Sequence, residues 1–153
     1  MVGFLIAAHG QFSKGLKSSI QVIMGTEIAE KIRTLTAFLD NDMSNAKAMV
    51  EAACEAVNAD DELIVFTDIM HGSVNQFFIP FAKDNIYVIS GVNLPLVCEV
   101  IAQYAFSPAE AKVDPDQLRE IVEQAKEAIV YVNDAMKMEK GAAIGSNEEE
   151  FFN

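Results

Sequence analysis

The sequence predicts an open α/β fold: a mostly parallel, doubly wound sheet in the order 2-1-3-4 with helices on both faces. Three observations predict it. Four short runs rich in β-branched and aromatic residues alternate with segments of helical spacing. The runs are apolar throughout rather than at every second residue, as in parallel strands buried on both faces. The chain has 153 residues, of which 51% are hydrophobic, enough for one core in one compact domain.

The first run, Val2 to Ala8, lies within MVGFLIAAHG, which is apolar enough to suggest a signal peptide. It lacks a basic leading region and ends at His9 after a few residues, so it reads as a buried strand. Leu16, Ile20, Ile23 and Met24 then share one helical face, which Gly25 closes. Ile32 to Leu39 is the second strand. Ser44 is the expected N-cap of a helix with Ala46, Met49, Val50, Ala53, Cys54 and Val57 on one face. The acidic cluster Asp60, Asp61 and Glu62 precedes the third strand, Leu63 to Thr67, and a helix is expected to open at Ser73 as its N-cap. Ile86 to Ser90 is the fourth strand, and Leu94 begins a helix ending near Tyr104.

A loop through Pro108 and Pro115 leads to a long final helix, whose stripe of Leu118, Ile121, Val122, Ala125, Ile129, Val132 and Met136 is expected to pack on the sheet. After Lys140 the composition changes to GAAIGSNEEEFFN, so residues 1–140 are expected to form the domain and 141–153 an acidic, frayed tail.

Lys and Arg total 11 against 23 Asp and Glu, giving a formal charge of −12 that repels a phosphate backbone and excludes nucleic acid as a partner. No stretch reaches the roughly 18 uninterrupted apolar residues of a membrane span. Cys54 and Cys98 have no CxxC spacing and no neighbouring histidine, which suits buried thiols in a reducing cytoplasm.

Ligands of open α/β sheets bind at the carboxyl ends of the strands, beside the point where chain order reverses. The first strand ends FLIAAHG and delivers His9 and Gly10 there. The third, ELIVFTDIMHGS, delivers Thr67 and Asp68, then His71, Gly72 and Ser73, and the fourth, IYVISGVNLP, delivers Gly91 and Asn93. In the order 2-1-3-4 the first and third strands are neighbours, so His9 and Asp68 meet. A carboxylate that accepts the Nδ1 proton of an imidazole leaves Nε2 with a lone pair that can attack an electrophile. Gly10 leaves room for the incoming group, and the helix N-termini after His9 and Gly72 suit an anion such as a phosphoryl group. Ser73 is placed either to donate to a phosphate oxygen or simply to cap its helix.

Two other chemistries compete. Asp68 as a phosphoacceptor, as in receiver domains, needs an acidic pair after the first strand, where this chain has Ala7, Ala8 and His9. A metal-dependent hydrolase would use His9, Asp68 and His71 as ligands. A pure binding module is the third alternative, and it would tolerate replacement of His9.

These same residues carry a resemblance. The strand ending HG, the strand ending TD followed by a GS pair, and GVNLP after the fourth strand resemble the IIA component of the mannose family of the bacterial phosphoenolpyruvate-dependent sugar phosphotransferase system, over roughly the first 105 residues. The resemblance implies that His9 is the phosphorylated histidine, that Asp68 orients it, and that Ser73 and neighbouring backbone amides contact the phosphoryl group. It implies the small carrier HPr as donor, a IIB component as acceptor, membrane-embedded IIC and IID components behind it, and no metal or organic cofactor. It also implies a homodimer in which a C-terminal strand, here near 142–144 or Phe151, joins the partner's sheet antiparallel. Where members of that family commonly carry two glycines before the serine, this chain has His71 and Gly72, and SVNQFF replaces the usual proline-containing continuation.

Overall fold

Alternate residues of the central strands point to opposite faces, and both sets are apolar, so the sheet needs cover on each side. The computed structural model, which describes residues 1–37, 43–83, 85–108 and 110–136, supplies that cover. Strands β1 (Val2–His9), β2 (Ile32–Ala37), β3 (Glu62–Thr67) and β4 (Ile86–Ser90) form one parallel sheet in the order β2-β1-β3-β4. Phe4, Ile6, Ile64 and Phe66 face a core closed by α1 (Phe12–Met24), α2 (Thr26–Glu30), α5 (Leu94–Tyr104) and α6 (Pro115–Glu127). Leu5, Ala7, Leu63 and Val65 face a second core under α3 (Met43–Glu55) and α4 (Ser73–Phe78). Four wholly buried β3 side chains, Ile64, Val65, Phe66 and Thr67, mark it as the central strand.

Gly25 ends α1 at φ +93, a conformation that disfavours residues with a Cβ. The short α2 follows directly; its five residues are too few for a readable stripe. Helix α3 begins at Met43, so Ser44 lies inside the first turn rather than at the N-cap. Cys54 is buried as expected, whereas Cys98 is only half-buried; desolvation raises the Cys54 thiol to about 11 and also raises that of Cys98, which leaves both protonated at neutral pH.

The final helix departs from expectation. It stops at Glu127, and Ile129, Val132 and Met136, expected on its packed stripe, are exposed. The cause is local: Ile129, Val130 and Tyr131, where the chain leaves the helix, are β-branched or aromatic and lose χ1 freedom in one, and a separate helical stretch at 132–136 follows them. Leu118 and Ile121 alone are fully buried from that stripe. The tail and the strand candidates near 142–144 and Phe151 lie outside the described residues.

Candidate functional site

The β1–β3 register pairs Ala7 with Thr67, so Asp68 leaves β3 beside the last residues of β1, which stay paired with β2 as far as His9 and Ala37. His9 and Asp68 therefore meet at the carboxyl edge, where the chain order reverses between β1 and β3. One oxygen of Asp68, Oδ2, accepts both the backbone N–H of His9 and its ring Nδ1, each at 2.9 Å. The other, Oδ1, accepts the N–H of Ile69 at 2.9 Å. The Asp68 side chain is 11% exposed and that of His9 35%, so the carboxylate is sheltered while the ring reaches the surface. An anionic acceptor at Nδ1 selects the tautomer with its proton there, leaving Nε2 as the basic, nucleophilic nitrogen.

Nε2 faces the hydroxyl of Ser73 at 3.1 Å. In the tautomer that Asp68 selects, Ser73 donates to the Nε2 lone pair. The N-cap of α4 is Gly72, not Ser73, and no side chain caps that helix end. Capping therefore does not account for the serine, and its hydroxyl belongs to the site.

The two glycines expected at a phosphate contribute space rather than free donors. Gly10 turns the chain out of β1 at φ +53, and its N–H goes to the carbonyl of Ala37. Gly72 gives its N–H to the carbonyl of Ile69, and a Cβ there would lie 3.0 Å from that oxygen and 3.3 Å from Cε1 of His9. A side chain there would force the loop or the ring to shift by a few tenths of an ångström.

His71 is exposed and adopts φ +64. It does not complete a metal site with His9 and Asp68: among the described residues no three His, Cys, Asp or Glu side chains converge so as to share an ion. Gly91 and Asn93, also expected at this edge, have local roles. Gly91 turns at φ +76, the N–H groups of Gly91 and Val92 both reach the Thr67 carbonyl, and Asn93 caps α5 by accepting from the N–H of Leu96 at 2.9 Å.

Asn75 was not foreseen. It is buried, its Nδ2 donates to Thr67 Oγ1 at 3.2 Å, and its Oδ1 accepts the N–H of His71 at 3.2 Å. The signal available in the sequence was a polar residue between Val74 and Phe78, both wholly buried.

Fold and site define a class: an open parallel α/β protein presenting a carboxylate-oriented histidine at its topological switch point. Comparison with known proteins gives the family. The family model described as PTS system fructose IIA component matches residues 3–117, and the chain belongs to that family. A Klebsiella pneumoniae structure described as a phosphoenolpyruvate-dependent sugar phosphotransferase system permease is 34% identical, with a TM-score of 0.74, over 88% of this chain and 93% of that one. The PTS IIA protein associated with the fucose utilization operon of Streptococcus pneumoniae is 24% identical, with a TM-score of 0.72, over 88% and 96%. The mannose/sorbose-specific IIA subunit from Enterococcus faecalis is 22% identical, with a TM-score of 0.63, over 84% and 92%. These last two share the fold. Among the described residues no helix is long and apolar enough to cross a membrane.

The Gly72 contact yields a prediction. Gly72→Ala should destabilise the fold by about 1–2 kcal/mol, because the added methyl meets a backbone oxygen and the His9 ring. It should also weaken the hydrogen bond at Nδ1, seen as loss of the downfield His9 Nδ1–H resonance in proton NMR. Unchanged stability with that resonance intact would show that the loop does not press on the ring.

Proposed function

We propose that this chain is a phosphohistidine carrier of a sugar phosphotransferase system, accepting a phosphoryl group from phospho-HPr on His9 and passing it to a IIB component. The observation that carries the reading is the ring held between two partners, with Asp68 on Nδ1 and the Ser73 hydroxyl on Nε2. The Nε2 lone pair attacks phosphorus in line, and the bond from phosphorus to the donor breaks with its electron pair leaving on the donor. The Ser73 hydroxyl rotates from the lone pair to an equatorial oxygen, since a hydroxyl proton follows its best acceptor. The first N–H groups of α4, which no carbonyl of that helix can reach, face the same charge. Asp68 keeps the Nδ1 proton and stabilises the imidazolium character of the phosphorylated ring. Transfer to IIB reverses the step, and IIC and IID take the sugar.

The edge also suits protein partners. Phe12, Ile69 and Met70 are exposed apolar residues close in sequence to His9 and Asp68, on a chain of formal charge −12. Exposed apolar side chains on a chain of net negative charge fit a donor with a basic rim. These partners place the reaction in the cytoplasm.

Incubation with phosphoenolpyruvate, Enzyme I and HPr, followed by intact mass at mildly alkaline pH, should show a single acid-labile phosphoryl addition. It should require HPr and vanish in His9→Ala. Asp68→Asn should slow the transfer by about tenfold to a hundredfold. A folded parent chain that gains no mass, beside a working IIA control, overturns the carrier reading.

We also propose the homodimer, with Ile129–Val132 as an exchange segment besides the positions near 142–144 and Phe151. β4 is an edge of the described sheet, flanked by a groove of about 370 Å³ lined by Tyr87, Ile89, Pro115, Leu118 and Val122. At the same groove the buried Ser90 hydroxyl has no partner among the described residues. Ile129, Val130 and Tyr131 are exposed and non-helical and, with Val132, have the composition of a strand, and an open edge is a template for one. Sedimentation should give twice the chain mass, and the double variant Val130→Asp, Val132→Asp should give a folded monomer. A monomeric parent, or a variant that remains dimeric, contradicts the assignment.

A further inference from the structure

The loop between the two partners of the His9 ring runs Ile69-Met70-His71-Gly72. It closes as a β-turn through the N–H of Gly72 and the carbonyl of Ile69 at 3.0 Å. Its third residue, His71, has φ +64, and among the described residues it alone is a non-glycine at positive φ. A turn with positive φ at that position ordinarily calls for glycine, because a Cβ there crowds the backbone. His71 is exposed, so burial of its side chain does not offset the strain.

Two side chains of α4 do. Asn75 Oδ1 accepts the His71 N–H at 3.2 Å, and Gln76 Nε2 donates to the His71 carbonyl at 2.9 Å. Asn75 is anchored in turn. Its Nδ2 donates to the hydroxyl of Thr67, a wholly buried residue at the tip of β3, which reaches the carbonyl of Ile89 in β4. The strained residue is thus clamped at both backbone polar groups, with one arm rooted in the sheet.

We propose that Asn75 and Gln76 are positioning residues: by holding His71 left-handed they set the turn that carries Ser73 to Nε2 of His9, and so set the rate of phosphoryl transfer. The inference rests on the carrier reading. Strain held by surrounding contacts is the expected form of pre-organisation at a reacting centre. Asn75 and Gln76 reach the site through the His71 backbone, so their effect is expected chiefly on the transfer step.

The test measures transfer from phospho-HPr by rapid quench, giving the saturating rate and the KM for the donor. It compares the parent, Asn75→Ala, Gln76→Ala, His71→Gly and the two double variants. Asn75→Ala should lower the saturating rate about tenfold and Gln76→Ala about threefold, with KM changed by less than about twofold. Adding His71→Gly should return each to within about twofold of His71→Gly alone, because glycine adopts the turn unaided. A purely structural Asn75 would give no such rescue. Gln76 is exposed, so its variant stays folded and decides the matter if Asn75→Ala does not fold. Parent-like saturating rates in the folded single variants, or losses that persist with glycine at position 71, overturn the proposal. A parent that accepts no phosphoryl group overturns the carrier reading and removes the basis of the clamp.

Discussion

The carboxylate of Asp68 ties the end of β1 to the end of β3, and the geometry of the site follows from that tie. Its three hydrogen bonds, to the His9 backbone, the His9 ring and the Ile69 backbone, fix a ring orientation, a tautomer and the start of a loop at once. Bonds of this kind, with an ionised acceptor and sheltered from water, are about twice as strong as neutral ones. They are available only because β1 and β3 are parallel neighbours in a register that sets Ala7 opposite Thr67 and lets His9, two residues on, reach back to Asp68. Reversed order or a shifted register would separate the two residues. The sheet topology is therefore part of the chemistry.

The loop from Asp68 to Ser73 extends the same logic. Gly72 lets the chain pass against the ring, and the clamp on His71 holds the turn that brings the hydroxyl back to Nε2. Carboxylate, imidazole and hydroxyl stand in the order of a hydrolytic triad. In the proposed carrier, however, the imidazole is the nucleophile, and the serine moves from its lone pair to the incoming group. The chemistry differs because the electrophile is a phosphoryl group presented by a protein.

Much of this was legible in the sequence. Four runs rich in β-branched and aromatic residues, separated by helical spacing, specified the parallel sheet, and strand ends placed His9, Asp68 and Ser73 at one edge. Two kinds of feature were not legible. Ile129, Val132 and Met136 continue the periodicity of α6, but periodicity does not register the break over Ile129, Val130 and Tyr131, after which a helical stretch resumes at 132–136 with Val132 and Met136 exposed. Asn75 and the positive φ of His71 depend on contacts between a helix and a turn, which single-residue patterns do not encode. The motif GVNLP gives another lesson. It marks the family strongly, yet in the structure it serves a turn and a helix cap, with Gly91 at positive φ and Asn93 accepting from Leu96. Residues that identify a family are not always those that perform its chemistry.

The central claim is that Asp68 holds the Nδ1 proton of His9 and leaves Nε2 to carry the phosphoryl group. Nitrogen-15 NMR of the histidine rings, recorded before and after phosphorylation by phospho-HPr, reads both nitrogens directly. The account predicts a neutral His9 protonated at Nδ1 beforehand and phosphorus coupled to Nε2 afterwards, with the Nδ1 proton still in place. Phosphorus on Nδ1, or a resting ring protonated at Nε2, would contradict it.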